Sequence, residues 1–242
     1  MAEWFSGMQK EFTTAFIVDN RWKYIVEGVG NTLVLTFWAL ILGVVLGVIV
    51  AAIRTTYDKQ YQEMKNPIAK FLLFIGNGIS KIYLTVIRGT PVMVQILIIF
   101  FVIMANSRDK MLCGVIAFGV NSGAYVAEIV RGGIMSIDAG QNEAGRSLGL
   151  NYLQTMWFII LPQAFKNILP SLANEFIVLL KETSIAGYVG VTDLTRGANI
   201  IRGVTYQDFF PLLGAAVIYL VMVMFFTWLV GILERRLRKN ER

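Results

Sequence analysis

The sequence predicts an all-α integral membrane protein of about five transmembrane helices. Three observations carry that expectation. Hydrophobic residues make up 56% of the 242 residues and charged residues only 16%, against roughly 45–50% and ~25% in soluble domains. The excess is clustered: residues 31–53 and 209–233 each run without a charge, and about 20 apolar residues suffice to cross a ~30 Å hydrocarbon core. Basic residues follow such runs, with Arg235, Arg236, Arg238 and Lys239 directly after the last, in the manner of cytoplasmic anchors.

The elements follow in order. Residues 1–28 mix Trp4, Phe5, Phe12, Phe16, Trp22 and Tyr24 with charges, a pattern for an interfacial amphipathic segment. Lys10 and Glu11 interrupt it, so a cleaved signal peptide is not expected. The first span is 31–53, followed by a cytoplasmic loop carrying Arg54, Lys59, Lys65 and Lys70. Residues 67–105 form a long apolar tract with Arg88-Gly89-Thr90-Pro91 near its middle. Proline donates no backbone hydrogen bond and disfavours helix at the preceding residue. The expectation is a tilted or interfacial helix, a break, then a spanning portion to about Ala105, with two full spans as the alternative. The next span, 111–129, is interrupted by Asn121-Ser122-Gly123, small polar residues that suit a helix–helix interface. A polar loop is expected over 131–166, a fourth span over 168–188 with Pro170 in its first turn, polar chain over 189–208, and the last span over 209–233.

Five spans place the chain ends on opposite sides. With the C-terminus inside, Arg54, Lys59, Lys65, Lys70, Arg131, Arg146, Lys166 and the C-terminal cluster fall inside, against Lys10, Arg21, Lys23, Arg108, Lys110, Arg196 and Arg202 outside. That bias follows the positive-inside rule. A six-span arrangement would strand the basic residues at 54–70 outside and ranks second.

Composition also excludes. The net charge of +6 does not gather on a polar domain, which argues against nucleic acid. A single cysteine, Cys113, rules out an intrachain disulfide, and the absence of histidine removes histidine acid–base catalysis and histidine-based zinc sites. No catalytic residue, metal site or cofactor is expected in the chain.

Within the cytoplasmic loop, Gly140-Gln141-Asn142-Glu143-Ala144-Gly145-Arg146-Ser147-Leu148-Gly149-Leu150 suits a short helix from about 141 to 148. Gly149 would close it, since glycine accepts the left-handed conformation past a helix end. On physics alone an ordinary solvated connector fits equally. The segment resembles the E-A-A…G loop of ABC-importer permeases. Arg88-Gly89-Thr90-Pro91 with Gln95, Gly123-Ala124-Tyr125-Val126-Ala127-Glu128 with Arg131-Gly132-Gly133-Ile134, Gln154-Thr155-Met156, Leu161-Pro162-Gln163-Ala164 and Lys181-Glu182-Thr183-Ser184-Ile185 narrow the resemblance to the polar-amino-acid permeases of the histidine/glutamine/arginine/opine type. Each motif alone is weak; their joint order over about 28–235 is specific. Two positions depart: Gly145 stands where a second alanine usually sits, and Glu182 replaces a common aspartate.

The resemblance implies a type I ABC importer permease fold, with an N-terminal segment 1–28, a permease domain 29–235 containing the coupling loop 131–166, and a basic tail 236–242. It implies that Glu143, Ala144, Gly145 and Gly149 belong to a coupling helix docking on a separate cytoplasmic ATPase. The chain has no phosphate-binding Gly-Lys-Ser/Thr motif, so ATP belongs to that partner. It further implies an extracytoplasmic solute-binding protein, a second permease subunit (a copy or a related chain), a polar amino acid as cargo, and a cytoplasmic-membrane location. Leu161-Pro162 would form the elbow by which the chain re-enters the membrane.

Charged groups inside a bilayer default to functional candidates. Glu175 and Glu182 lie two helical turns apart on one face, fit for a substrate ammonium or guanidinium, with packing ion pairs as the equal alternative. Glu128 precedes Arg131 by three residues and suits a local pair. Near the Pro91 break, Thr90, Met93 and Gln95 are the candidate substrate contacts, since broken helices offer unpaired backbone groups. A permease for another small solute, a non-transporting membrane scaffold and an intramembrane enzyme are the competing functions; the coupling segment disfavours the scaffold, and the missing nucleophile–base pair disfavours the enzyme.

Overall fold

The computed structural model describes residues 2–239, and every regular element among them is helical. The chain begins with α1 (Ala2–Phe12), a π turn (Thr13–Ile17) and a 3-10 turn (Val18–Asn20). Asp19 and Asn20 take left-handed φ values of 54° and 55°, which breaks the helical path after α1. The first long helix, α2 (Trp22–Gln60), therefore starts at Trp22, nine residues before the expected 31. Gly28 and Gly30 do not break it, because both hold helical geometry within the rod. Its 39 residues span about 58 Å at 1.5 Å per residue, more than a bilayer core, so polar ends project on both sides.

Helix α3 (Pro67–Gly89) is started by Asn66, whose side chain accepts from the amides of Ile68 and Ala69, with proline at the tolerated first position. Thr90 and Pro91 are extended, and α4 (Val92–Ile98) resumes the path with a π turn (Ile99–Ile103). The break falls where the sequence puts it. The two pieces lie at different levels of the bundle. In α3, Asn77 sits beside Arg54, Leu84 packs with Ala124 and Ala127, and Arg88 ends beside Glu128. Ile96 of α4 and Ile99 of the following π turn join Leu35, Ala39 and Phe118, toward the N-terminal ends of α2 and of α5 (Lys110–Met135).

Helices α2 and α5 form the centre. Gly43 and Gly47 on α2 face Ser122, Gly123, Val126 and Ala127 on α5, so close that a Cβ on Gly47 would lie 2.6 Å from Val126 Cγ1. Small residues let helices approach in a membrane, where apolar burial gives no net drive and packing must supply the attraction. Ser122 and Gly123 are buried in this contact and Asn121 is buried against α4, so all three lie in helix–helix interfaces as the sequence suggests.

The region 131–166 is more helical than expected. α5 runs on to Met135, α6 occupies Ala139–Ser147, and α7 (Tyr152–Thr155) continues through a π turn (Met156–Ile160) into α8 (Leu161–Glu182). Leu161-Pro162 is therefore no elbow: the helix runs through it, with a π turn just before Pro162, which donates no backbone hydrogen bond. Pro170 lies inside α8 rather than in its first turn, and Asn174 donates to the Pro170 carbonyl at 3.1 Å. α8 ends at Glu182, and a 3-10 segment (Thr183–Val189) closes at Gly190 with φ 88°. α9 (Leu194–Thr205) packs on α2 and α10 through Ile25, Leu194, Ala198 and Ala215. α10 (Phe209–Lys239) runs straight through the first part of the basic tail; residues 240–242, with Arg242, lie outside the described residues.

Four helices are long and apolar enough to cross a membrane: α2, α3, α5 and α10. α8 is 22 residues long, but Lys166, Glu175, Lys181 and Glu182 keep it out of that group, so four candidate spans stand against the expected five. Val34, Phe37, Trp38 and Ile41 on α2, with Leu220, Phe225 and Trp228 on α10, are exposed, as a lipid-facing or subunit-facing surface requires.

Candidate functional site

A buried polar bridge crosses the bundle at the level of Asn121-Ser122. On one side, the Asn121 side-chain amide donates to Gln95 Oε1 at 2.8 Å. Gln95 Nε2 in turn lies 2.7 Å from the Ile87 carbonyl, 3.0 Å from the Thr90 carbonyl and 2.8 Å from Thr90 Oγ1. These carbonyls are orphaned because Pro91 has no amide to offer and Thr90 is extended. Gln95 thus caps the broken end of α3. On the other side, Ser122 Oγ donates to Glu175 Oε1 at 2.7 Å. Consecutive residues of α5 therefore tie α4 to one flank and α8 to the other.

Among the sequence candidates, Thr90, Gln95 and Glu175 are gathered around this bridge. Met93 instead packs against the apolar core beside Leu35 and Phe118. Glu182 lies two turns along α8, in electrostatic reach of Glu175 and Lys181, and makes no ion pair among the described residues. Glu175 is only 8% exposed, and its one hydrogen bond within the described residues comes from neutral Ser122. A buried carboxylate without a cation is costly unless something else answers it. Asn121 and Ser122 were legible as interface residues but not as partners of the site; their signal is two adjacent polar side chains in an otherwise apolar span.

Glu128 holds Arg131 at 3.9 Å in the expected i, i+3 pair, and also faces Arg88 at 3.8 Å; Arg131 reaches Asp58 at 3.4 Å.

The second feature is α6. Asp138 caps its start by accepting from the Gly140 amide at 2.7 Å. Gly149, at φ 82°, ends it as its sequence position predicts. Gly145 is the one buried residue of the helix, and a Cβ there would meet Thr155 Cγ2 at 2.7 Å. Thr155 is held by a reciprocal capping box between Asn151 and Gln154, both bonds at 2.9 Å. Arg146 pairs with Glu63 in the α2–α3 connection at 3.2 Å. Behind it Tyr152 is half-buried, and burial pushes its hydroxyl pKa up, partly offset by a hydrogen bond with Thr56. Glu143, Ala144 and Leu148 point outward and are exposed. The helix is fastened to the bundle on one side and bare on the other.

The described residues contain no cluster of His, Cys, Asp or Glu fit for a metal ion.

Known proteins share this sequence pattern and fold. The family model described as binding-protein-dependent transport system inner membrane component matches residues 68–239. A putative glutamine transport system permease protein GlnP of Rickettsia typhi is 39% identical over 220 residues, covering 90% of this chain and 94% of that protein. The arginine transport system permease protein ArtQ of Bacillus subtilis is 36% identical over 221 residues, again covering 90% and 94%. A solved structure titled as an amino acid ABC transporter with histidines matches with a TM-score of 0.77 at 41% identity, over 91% of this chain and 98% of that one. The inward-facing MetNI methionine ABC transporter shares the fold at 19% identity, with a TM-score of 0.70 over 88% of this chain and 95% of that one. With the match covering most of its length, this chain belongs to the family of inner membrane components of binding-protein-dependent transport systems.

Proposed function

We propose that this chain is the membrane-spanning subunit of an ATP-driven importer that moves a polar amino acid inward by alternating access. The observation that carries the reading is α6, a short capped helix seated on the bundle through Gly145 and Arg146 with Glu143 and Ala144 turned outward. Such a helix suits docking into a groove on a cytoplasmic ATPase. Closure of the ATPase pair then moves the spans as packed bodies between inward-open and outward-open arrangements. Glu143 and Ala144 would touch the ATPase, Gly145 would seat the helix, and Gly149 would let the chain turn back at once. ATP hydrolysis resides on that separate subunit, and an extracytoplasmic binding protein delivers the cargo. The spans work beside a second permease subunit, a copy of this chain or a relative. The 1–28 segment and the basic tail from 236 serve as membrane-surface anchors flanking the 29–235 permease domain.

The cargo class follows from the relatives' names and from Glu175. An amino acid always presents an ammonium, and a buried carboxylate with only a neutral hydroxyl partner suits that group or a guanidinium. Glu182 would act two turns away on the same helix. Thr90 and Gln95 shape the break, where Gln95's amide is already engaged, and Met93 contributes apolar contact. The test is a screen of ATPase stimulation by individual amino acids on the assembled complex. Stimulation by a polar amino acid is expected; stimulation by sugars, peptides or metal ions alone would overturn the cargo class.

A further inference from the structure

We propose that the groove between α2, α3 and the C-terminal half of α5 binds the phosphate of an anionic phospholipid from the cytoplasmic leaflet. The groove, of about 510 Å³, is lined by Arg54, Lys81, Thr85, Arg88 and Glu128. Three cations face one carboxylate. Glu128 is not theirs alone, because it stands between Arg88 at 3.8 Å and Arg131 at 3.9 Å. Lys81 has no carboxylate within ion-pair distance among the described residues. Arg54 reaches only Asn77 Oδ1 at 3.4 Å, and its buried Nε has no acceptor. Like charges gathered along one groove repel, and a phosphate with several acceptor oxygens answers all three.

The level of the groove in the bundle says which phosphate. The groove lies on the α6 side of the bundle, since Glu128 and Arg131 sit one to two turns before the end of α5. On the proposed orientation this is the anionic leaflet, and basic pockets between helices on that side are fitted to lipid headgroups. The site depends on the transport reading only for that choice of side.

The test uses the assembled transporter in detergent, titrated with phosphatidylglycerol or phosphatidylcholine and read as bound lipid by native mass spectrometry. Phosphatidylglycerol is expected to bind more tightly. Lys81→Gln and Arg54→Gln should each weaken it about five-fold, Lys81→Arg should keep it, and phosphatidylcholine binding should not change. Lys81 is exposed and unpaired within the described residues, so its substitution spares the fold. Equal binding of the two lipids, or wild-type phosphatidylglycerol affinity in both glutamine variants, overturns the site. Displacement of phosphatidylglycerol by millimolar inorganic phosphate overturns the lipid as its source. Absence of amino-acid uptake by the wild-type complex, with lipid binding intact, speaks against the transport reading alone.

Discussion

Gly145→Ala tests whether α6 is fastened to the bundle by a glycine that matches Thr155. The new Cβ would sit 2.7 Å from Thr155 Cγ2, 2.8 Å from Thr155 Oγ1 and 3.1 Å from Ile159 Cδ1. Ordinary contacts between carbon atoms lie near 3.5–4.0 Å, so something must move by roughly 0.8 Å. Two of the three atoms belong to one β-branched side chain that does not swing aside easily. Overpacking of this kind costs about 1–3 kcal/mol, against a gain of about 1 kcal/mol from alanine's helix propensity. Adding Thr155→Ala removes both offending atoms and a buried hydroxyl that has no hydrogen-bond partner among the described residues. The double variant should keep the propensity gain without the clash. A double-mutant cycle on thermal unfolding of the assembled complex, followed by labelling of buried Cys113 with the partner subunits made cysteine-free, gives the coupling. The expected coupling is about 1–3 kcal/mol, at about 2–4 °C per kcal/mol. A coupling within about 0.5 kcal/mol of zero would refute the close seat.

Further outcomes follow from the same geometry. Gly47→Ala should lower thermal stability by about 1–3 kcal/mol, because its Cβ would meet Val126 at 2.6 Å and the Ala127 backbone nitrogen at 2.9 Å. Gly78→Ala, where nothing lies within 4 Å, should be neutral or stabilising in the same assay. Asp193 caps α9 by accepting from the Thr195 and Arg196 amides, so Asp193→Ala should cost about 1 kcal/mol while Asp193→Asn keeps most of the cap. Burial raises the Asp193 pKa, opposed by those hydrogen bonds. The folded state thus holds the proton to higher pH than the unfolded chain. Stability should fall as pH rises from the ordinary carboxylate range through the raised value, and a thermal-melt pH series on Asp193→Asn should lose that slope. Glu175→Gln should weaken uptake of cationic amino acids more than neutral ones in proteoliposomes; equal loss for all would make Glu175 a packing residue.

What the sequence revealed depends on the range of the physics. The break at Gly89-Thr90-Pro91 was legible because proline acts on its neighbour and on its own amide. Gly149 was legible because the left-handed turn is a local demand. The start of α2 was not, since the span was read from the charge-free run 31–53 while the helix itself continues back through Glu27 and Lys23 to the turn made by Asp19 and Asn20. Pro170 misled because membrane helices tolerate a proline in mid-helix. Gln95 read as a binding group from sequence, but only the fold shows its amide closing the carbonyls left by Pro91. The Ser122–Glu175 bond joins residues 53 positions apart, beyond any periodicity in the chain. Gly145 read as a small-for-small exchange; its partner Thr155 gives the exchange a reason.

Coupling through α6 is the claim on which the transport account stands. Glu143 is exposed and makes no ion pair among the described residues, so reversing its charge leaves the fold of the chain alone. The direct measurement is ATP hydrolysis and amino-acid uptake, taken together on proteoliposomes carrying Glu143→Arg. The account predicts a chain that inserts and assembles normally while hydrolysis no longer drives uptake. Wild-type uptake per ATP hydrolysed would contradict it.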